Sequence, residues 1–305
     1  MFKNLTCYRI GDWPASAAAF EEALRSAPFT PCTPSQAKSV GWAPPRGEEH
    51  GALVEAIGGH WIAQLVIETK AVPADAIRRR VDEEAARIEQ ESARPVGRKE
   101  RQDMKDDALL ALLPQAFPRR STVTVWIDPK RRWLLLDTAS APRADIVISA
   151  LADVSSAGWG VAPLMTRQAP RSVMGAWLGD DDGEALPAAF DIGQDCELKG
   201  SGDEPACVRF VRHPLQTAEI RRHIAENKLP VSLALDWQGR VSFTLTERMQ
   251  LKKIRFDEGV MQDNASDSPD GRFDADIAIA TGELGALLDD LITALGGEDA
   301  EAAQR

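Results

Sequence analysis

The sequence predicts an α+β fold, with helices and antiparallel strands alternating in blocks and no strict strand–helix–strand rhythm. Two observations carry this. Two segment pairs have the apolar, β-rich pattern of hairpins around turn-length linkers: TVTVWID (122–128) with WLLLD (133–137), and VSLALDW (231–237) with RVSFTLT (240–246). Between such blocks, ADAIRRRVDEEAARIEQES (74–92) places Ile77, Val81, Ala85 and Ile88 on one stripe of a long helix, with charges elsewhere.

In chain order, KNLTCYRI (3–10) predicts a short strand, and PASAAAFEEALRSA (14–27) a helix with Pro14 in its first turn and Phe20 and Leu24 four apart. FTPCTPSQAKSVGWAPP (29–45) is rich in Pro and Ser and predicts irregular chain around Trp42. HWIAQLVIET (60–69) is a β-rich run. After the 74–92 helix, ARPVGRKER (93–101) interrupts, because Pro95 and Gly97 both oppose helix. A second helix is expected over 103–113, carrying Met104, Ala108, Leu109, Leu112 and Leu113, and ending at Pro114. The two helices form a hairpin with the interruption at or near its tip. Further on, 141–151 predicts a helix, 196–199 and 206–212 strands, and 218–228 a helix capped by Thr217. Residues 251–256 suit a third strand beside the 231–246 hairpin, 258–272 an acidic mobile loop, and 274–297 a closing helix. The expected regions are 1–72 (α+β), 73–120 (hairpin), 121–256 (central α+β) and 257–305 (acidic loop and helix).

The 305 residues contain no run approaching the roughly 18 apolar residues of a membrane span, and no apolar leader opens the chain, so a cytoplasmic protein without membrane contact is expected. Cys7, Cys32, Cys196 and Cys207 form no C-x-x-C pair, and no histidine lies at ligand spacing from them, so scattered thiols and no metal are expected. The common nucleotide-loop and hydrolase motifs are absent. No cofactor is expected.

The charge is segregated. The chain carries a formal −11, yet residues 94–132 hold ten Lys/Arg against five acids, whereas residues 257–305 hold thirteen acids against two arginines. Binding depends on the local field and not on the sum. A chain of this kind suits one anion-facing surface and an acidic, solvated exterior. Arg94, Arg98, Lys99, Arg101, Arg119 and Arg120 are the candidates for phosphate contacts, since the planar guanidinium can grip phosphate oxygens in pairs. Gly97 would let the backbone turn tightly among them. Lys253 and Arg255 alternate with Ile254 and Phe256, which predicts both charges on one strand face. Taken alone, Phe117 after the helix-ending proline suits a core position.

FKNLTCYRI, FTPCTPSQAKSVGWAPP, GRKERQDMKDDALLALLPQAFPRRS, WIDP with LLLDTASAPRAD, LALDWQGRVSFTLTE with LKKIRF, and RFDADIAIATGEL occur in that order from residue 2 to about residue 297. Together they resemble the bacterial recombination-associated RdgC family; 155–195 contributes little. The resemblance implies a non-enzymatic, nucleoid-associated protein that binds double-stranded DNA with little sequence preference. It implies a ring-shaped homodimer with a positive central hole, and functional antagonism with the RecA recombinase. It places the hairpin on a projecting tip and makes Phe117 a tip contact. In VRFVRHPL the matching basic residue is Arg212, followed here by His213 and Pro214, a departure that leaves His213 without an assigned role.

Two other readings compete. Asp106, Asp107 and Asp128 near basic residues could hold magnesium in a nuclease or another hydrolase. The closing helix could instead serve a protein-interaction module without DNA binding.

Overall fold

A computed structural model of the chain describes residues 1–11, 13–155, 159–201, 206–261 and 268–299. The strands are β1 (Leu5–Ile10), β2 (Lys38–Ala43), β3 (Val54–Ile57), β4 (His60–Lys70), β5 (Pro118–Asp128), β6 (Trp133–Leu136), β7 (Val161–Pro163), β8 (Phe190–Lys199), β9 (Cys207–Phe210), β10 (Leu229–Trp237), β11 (Val241–Thr246) and β12 (Gln250–Phe256). The helices are α1 (Ala17–Leu24), α2 (Ala74–Ser92), α3 (Arg98–Leu112), α4 (Ala141–Val154), α5 (Pro170–Gly179), α6 (Ala218–Ala225), α7 (Glu258–Met261) and α8 (Pro269–Ala294).

The strands join in one twelve-stranded sheet of order β2-β4-β5-β6-β1-β12-β11-β10-β8-β9, with β3 added on β4 and β7 on β1. The ladders are antiparallel, so the α+β expectation holds. The chain's first strand sits at the centre, between β6 (Cys7 opposite Leu135) and β12 (Leu5 opposite Leu251).

Apolar patterning decides which part of the sheet is covered on both faces. Trp133, Leu134, Leu135 and Leu136 run without alternation and are all buried. Leu134 and Leu136 join Phe20 and Leu24 of α1 and Val147 and Leu151 of α4 in one core. Trp133 and Leu135 face a second core with Met174 and Trp177 of α5 and Leu284, Leu287 and Leu291 of α8. The β10–β12 part alternates instead: Leu233, Leu235, Phe243 and Leu245 are buried, with Ser232, Ala234, Ser242 and Thr244 on the other face.

Expected boundaries move both in the sheet and in the C-terminal segment. Residues 38–43 of the Pro- and Ser-rich stretch are strand β2, because Trp42 is buried and Val40 pairs with Ile67. Strand β5 begins at Pro118, four residues before the apolar run, because β4 supplies a ladder as far as Lys70 opposite Pro118. The expected loop at 258–272 contains α7 and the start of α8, capped by the Ser268 hydroxyl on the Gly271 amide; residues 262–267 lie outside the described residues.

The acidic C-terminal part is not simply a solvated exterior. In α8, Asp289 pairs with Arg131 at 2.6 Å, Asp290 accepts from the Trp237 indole at 2.8 Å, Glu283 pairs with Arg240, and Asp274 with Arg46. The acids on α8 tie it to both halves of the sheet.

Candidate nucleic-acid interface

The hairpin of α2 and α3 leaves the sheet after β4 and returns to it at β5. Its own core is small: Val81, Ala85, Met104 and Ala108, with Ile77, Ile88 and Val96 partly buried around them. Helix α2 ends at Ala93 in the left-handed conformation (φ 51°), a usual way to close a helix. Gly97 is extended (φ −73°, ψ 162°) and N-caps α3. The tight turn expected of Gly97 is therefore made by Ala93. Helix α3 starts at Arg98, five residues earlier than expected, and Arg101 N–H bonds the Gly97 carbonyl at 2.9 Å. Glu100 in the first turn also favours this start. Three cations of the interruption thus become helical and acquire a face.

That face is specific. Arg98, Arg101, Gln102 and Lys105 recur at three, four and seven residues. With Lys99, and with Arg78 across from them on α2, they line a groove of about 1390 Å³ floored by Ile77, Val81 and Val96. Its one acid, Asp82, is engaged by Arg101 at 3.3 Å. The opposite groove has the reverse balance, with Glu84, Glu100, Asp103 and Asp107 against Arg80 and Arg87. Among the described residues, Arg98, Lys99 and Lys105 have no acid within 4 Å.

The other expected cations divide by their partners. Arg94 grips Glu100 through both terminal nitrogens, at 2.9 and 3.0 Å. This contact holds the Glu100 carboxyl below the usual carboxylate range and clips the loop to α3. Arg120 is similarly engaged: its Nε bonds Glu68, and its guanidinium lies over the Phe29 ring at 5.2 Å. Its neighbour Arg119 is exposed, pairs in register with Thr69, and has no acid within 4 Å among the described residues. Phe117 is 89% exposed just before β5, so it is not a core residue.

A second cationic surface lies on the uncovered face of β10–β12. Arg209, Arg248, Lys252 and Lys253 border a groove of about 420 Å³ that Ser232, Thr244 and Thr246 floor, with the start of α4 at one side. Glu197 and Glu247 also line it, and Glu247 is paired with Arg171 at 3.6 Å. Here the strand-face expectation is corrected. The register shifts so that Lys252 pairs with Thr244 and Arg255 with Ser242, and Lys253 is the bulged residue at φ 54°. Arg255 therefore shares a face with Lys252, and Lys253 sits at 3.8 Å from Asp195. Asp195 also accepts the backbone N–H of Arg212, a left-handed residue (φ 52°), which brings Arg212 and Lys253 to one carboxylate. The His213 ring packs on Phe210, and its Nδ1 lies 2.7 Å from the Pro214 carbonyl. Arg209 and Arg248 escaped the sequence reading because neither stands in a basic run; only strand pairing gathers them.

The carboxylates considered for magnesium do not converge. Asp128 is buried, receives the Arg131 amide at 3.0 Å and its guanidinium at 2.8 Å, and lies 3.7 Å from His60. Asp106 lies on α3, where it accepts from Gln102. Among the described residues, no three His, Cys, Asp or Glu side chains stand at metal-holding spacing. The four cysteines are free. No helix of the described residues is long and apolar enough to cross a membrane.

Fold and site together define an α+β protein with one continuous sheet, a helical hairpin and two cation-lined surfaces. A family model described as "Putative exonuclease, RdgC" matches residues 1–298. The chain is 38% identical over 307 residues to the recombination-associated protein RdgC of Dechloromonas aromatica, covering 99% of each. It is 37% identical to the proteins of that name from Cupriavidus pinatubonensis, over 97% of this chain and 98% of that one, and Herminiimonas arsenicoxydans, over 98% and 99%. The chain belongs to the RdgC family of recombination-associated proteins.

Proposed function

We propose that this chain binds double-stranded DNA without sequence preference, as a ring-shaped homodimer in the nucleoid, and so limits access of RecA to DNA. The observation that carries the reading is the sorting of charge on the hairpin: one groove has five cations and one acid, with Arg98, Lys99 and Lys105 clear of acids among the described residues, and the other has an acid excess. Fixed cations displace the counterions condensed on a duplex and need no base contacts. In this reading Arg98, Lys99, Lys105, Arg119 and the sheet set Arg209, Arg212, Arg248, Lys252, Lys253 and Arg255 contact phosphates. Arg94, Arg101 and Arg120, already engaged by acids, mainly hold the surface in shape. Phe117, exposed where the hairpin returns to the sheet, joins the two protomers. The chain acts by occupancy and cuts nothing.

Mobility shift with random-sequence duplexes across a salt series tests this. Binding should weaken steeply with salt, with a slope of about −0.9 per phosphate neutralised. Salt-insensitive binding, or none at low salt, contradicts it. The family model's description raises a nuclease reading, and labelled duplex incubated with magnesium and pure protein addresses it. Intact DNA is expected.

A further inference from the structure

We propose that the cationic groove between α2 and α3 is also a docking site for an acidic, apolar peptide segment of another protein. The inference goes beyond DNA binding and does not rest on it. A phosphate backbone needs only the cations. This groove offers more: Ile77 and Val96 are partly buried at its floor, beside the buried Val81. From Ala74 to Asp82 on α2 and from Arg98 to Lys105 on α3, its walls each run for about two helical turns, roughly 10–12 Å. An apolar floor beside the cationic α3 wall is the complement of a short amphipathic segment whose Leu, Ile or Phe side chains face inward and whose Asp and Glu lie along Arg98, Lys99 and Lys105. Asp82 is paired with Arg101 at 3.3 Å and Arg78 with Asp75 at 3.4 Å, which leaves Arg98, Lys99 and Lys105 as the groove's cations without an acid within 4 Å among the described residues. Because Arg98 and Lys99 would serve both ligands, such a peptide competes with DNA for the hairpin.

The test uses the full chain and a fluorescein-labelled synthetic peptide of about 12 residues, built of Asp and Glu with Leu at every third or fourth position. A control peptide has the same charge with Ser in place of Leu. Anisotropy should show the Leu peptide binding at least ~10-fold tighter than the Ser peptide. The K99E/K105E double variant should lose at least ~10-fold, with circular dichroism unchanged, and K105Q alone should show a smaller loss. The Leu peptide should also protect Lys99 and Lys105 from acetylation. Equal binding of the two peptides overturns the proposal, because charge alone then accounts for it. So does protection of those lysines by duplex DNA but not by peptide, or protection that grows with protein concentration alone, which would give the groove to a second copy. Loss of DNA binding with peptide binding intact would sink the proposed function and leave this inference standing.

Discussion

Arg120 closes its guanidinium Nε onto Glu68, a side chain only 1% exposed, across the β4–β5 ladder. The Cys32 amide completes the carboxylate's partners at 2.7 Å. A buried carboxylate with two donors depends on keeping them both. The pairing separates two adjacent arginines that look equivalent in sequence: Arg120 ties β5 to β4 and, through Glu68, to the Cys32 segment, whereas Arg119 has no acid within 4 Å among the described residues.

Arg120→Ala should therefore lower the urea midpoint while leaving DNA affinity nearly unchanged, and Arg119→Ala should do the reverse. The hydrogen bond from Arg120, more than any other interaction, holds the Glu68 carboxyl below its ordinary value. A carboxyl lowered in the fold contributes stability fully above its unfolded pKa, near 4.3, and loses that contribution as pH falls through the lower folded value. Glu68→Gln should thus flatten the fall in urea midpoint between about pH 5 and pH 3. A parallel fall in wild type and variant would contradict this.

On the hairpin, replacing Arg98, Lys99 and Lys105 with alanine should weaken duplex binding. The salt slope should shrink by about 0.9 for each phosphate that is no longer neutralised. Arg94→Ala should do little, since its charge is already spent on Glu100. Equal effects from both substitutions would mean that partner occupancy does not govern the site.

The sheet groove supplies an independent comparison. Arg209→Ala with Arg248→Ala should lower DNA affinity although neither lies in a basic run of sequence. Unchanged affinity in the mobility-shift series would confine binding to the hairpin.

Phe117→Ala should leave unfolding free energy within about 0.5 kcal/mol of wild type, as expected for a side chain this exposed. Sedimentation should show weaker self-association. A large stability loss with unchanged mass would return Phe117 to a structural role.

Gly41→Ala tests the edge of the sheet. A Cβ there would stand 2.4 Å from Phe29 Cα and 2.7 Å from the Pro28 carbonyl oxygen. The backbone must shift, at a cost of about 1–3 kcal/mol, measurable by denaturant unfolding.

Much of this was legible from sequence because apolar period and turn residues act locally. The β5–β6 and β10–β11 hairpins, the α2 stripe and the Thr217 cap needed no distant information. Strand β2 was hidden because its stabilising partner, β4, is remote in the chain, and local Pro and Ser content pointed the other way. The early start of α3 was hidden for a different reason: Pro95 and Gly97 end one helix and permit the next, and only the N-cap geometry says where. For the site, sequence showed which residues are charged but not which charges are spent. Arg94, Arg98, Arg119 and Arg120 differ only in the acids that folding brings to them.

The central position of β1 governs how the chain can be made. A strand finished within the first ten residues waits for β6, then for β7 at residues 161–163 against Tyr8–Ile10, and last for β12 near residue 250 against Leu5 and Thr6, before both its edges are paired along their length. Ribosome-bound fragments therefore expose unpaired strand edges through most of synthesis. Native pairing is dominated by distant segments, which slows the search for it. Loss of the first strand would open the sheet at its middle, whereas loss of β9 would shorten it by one edge.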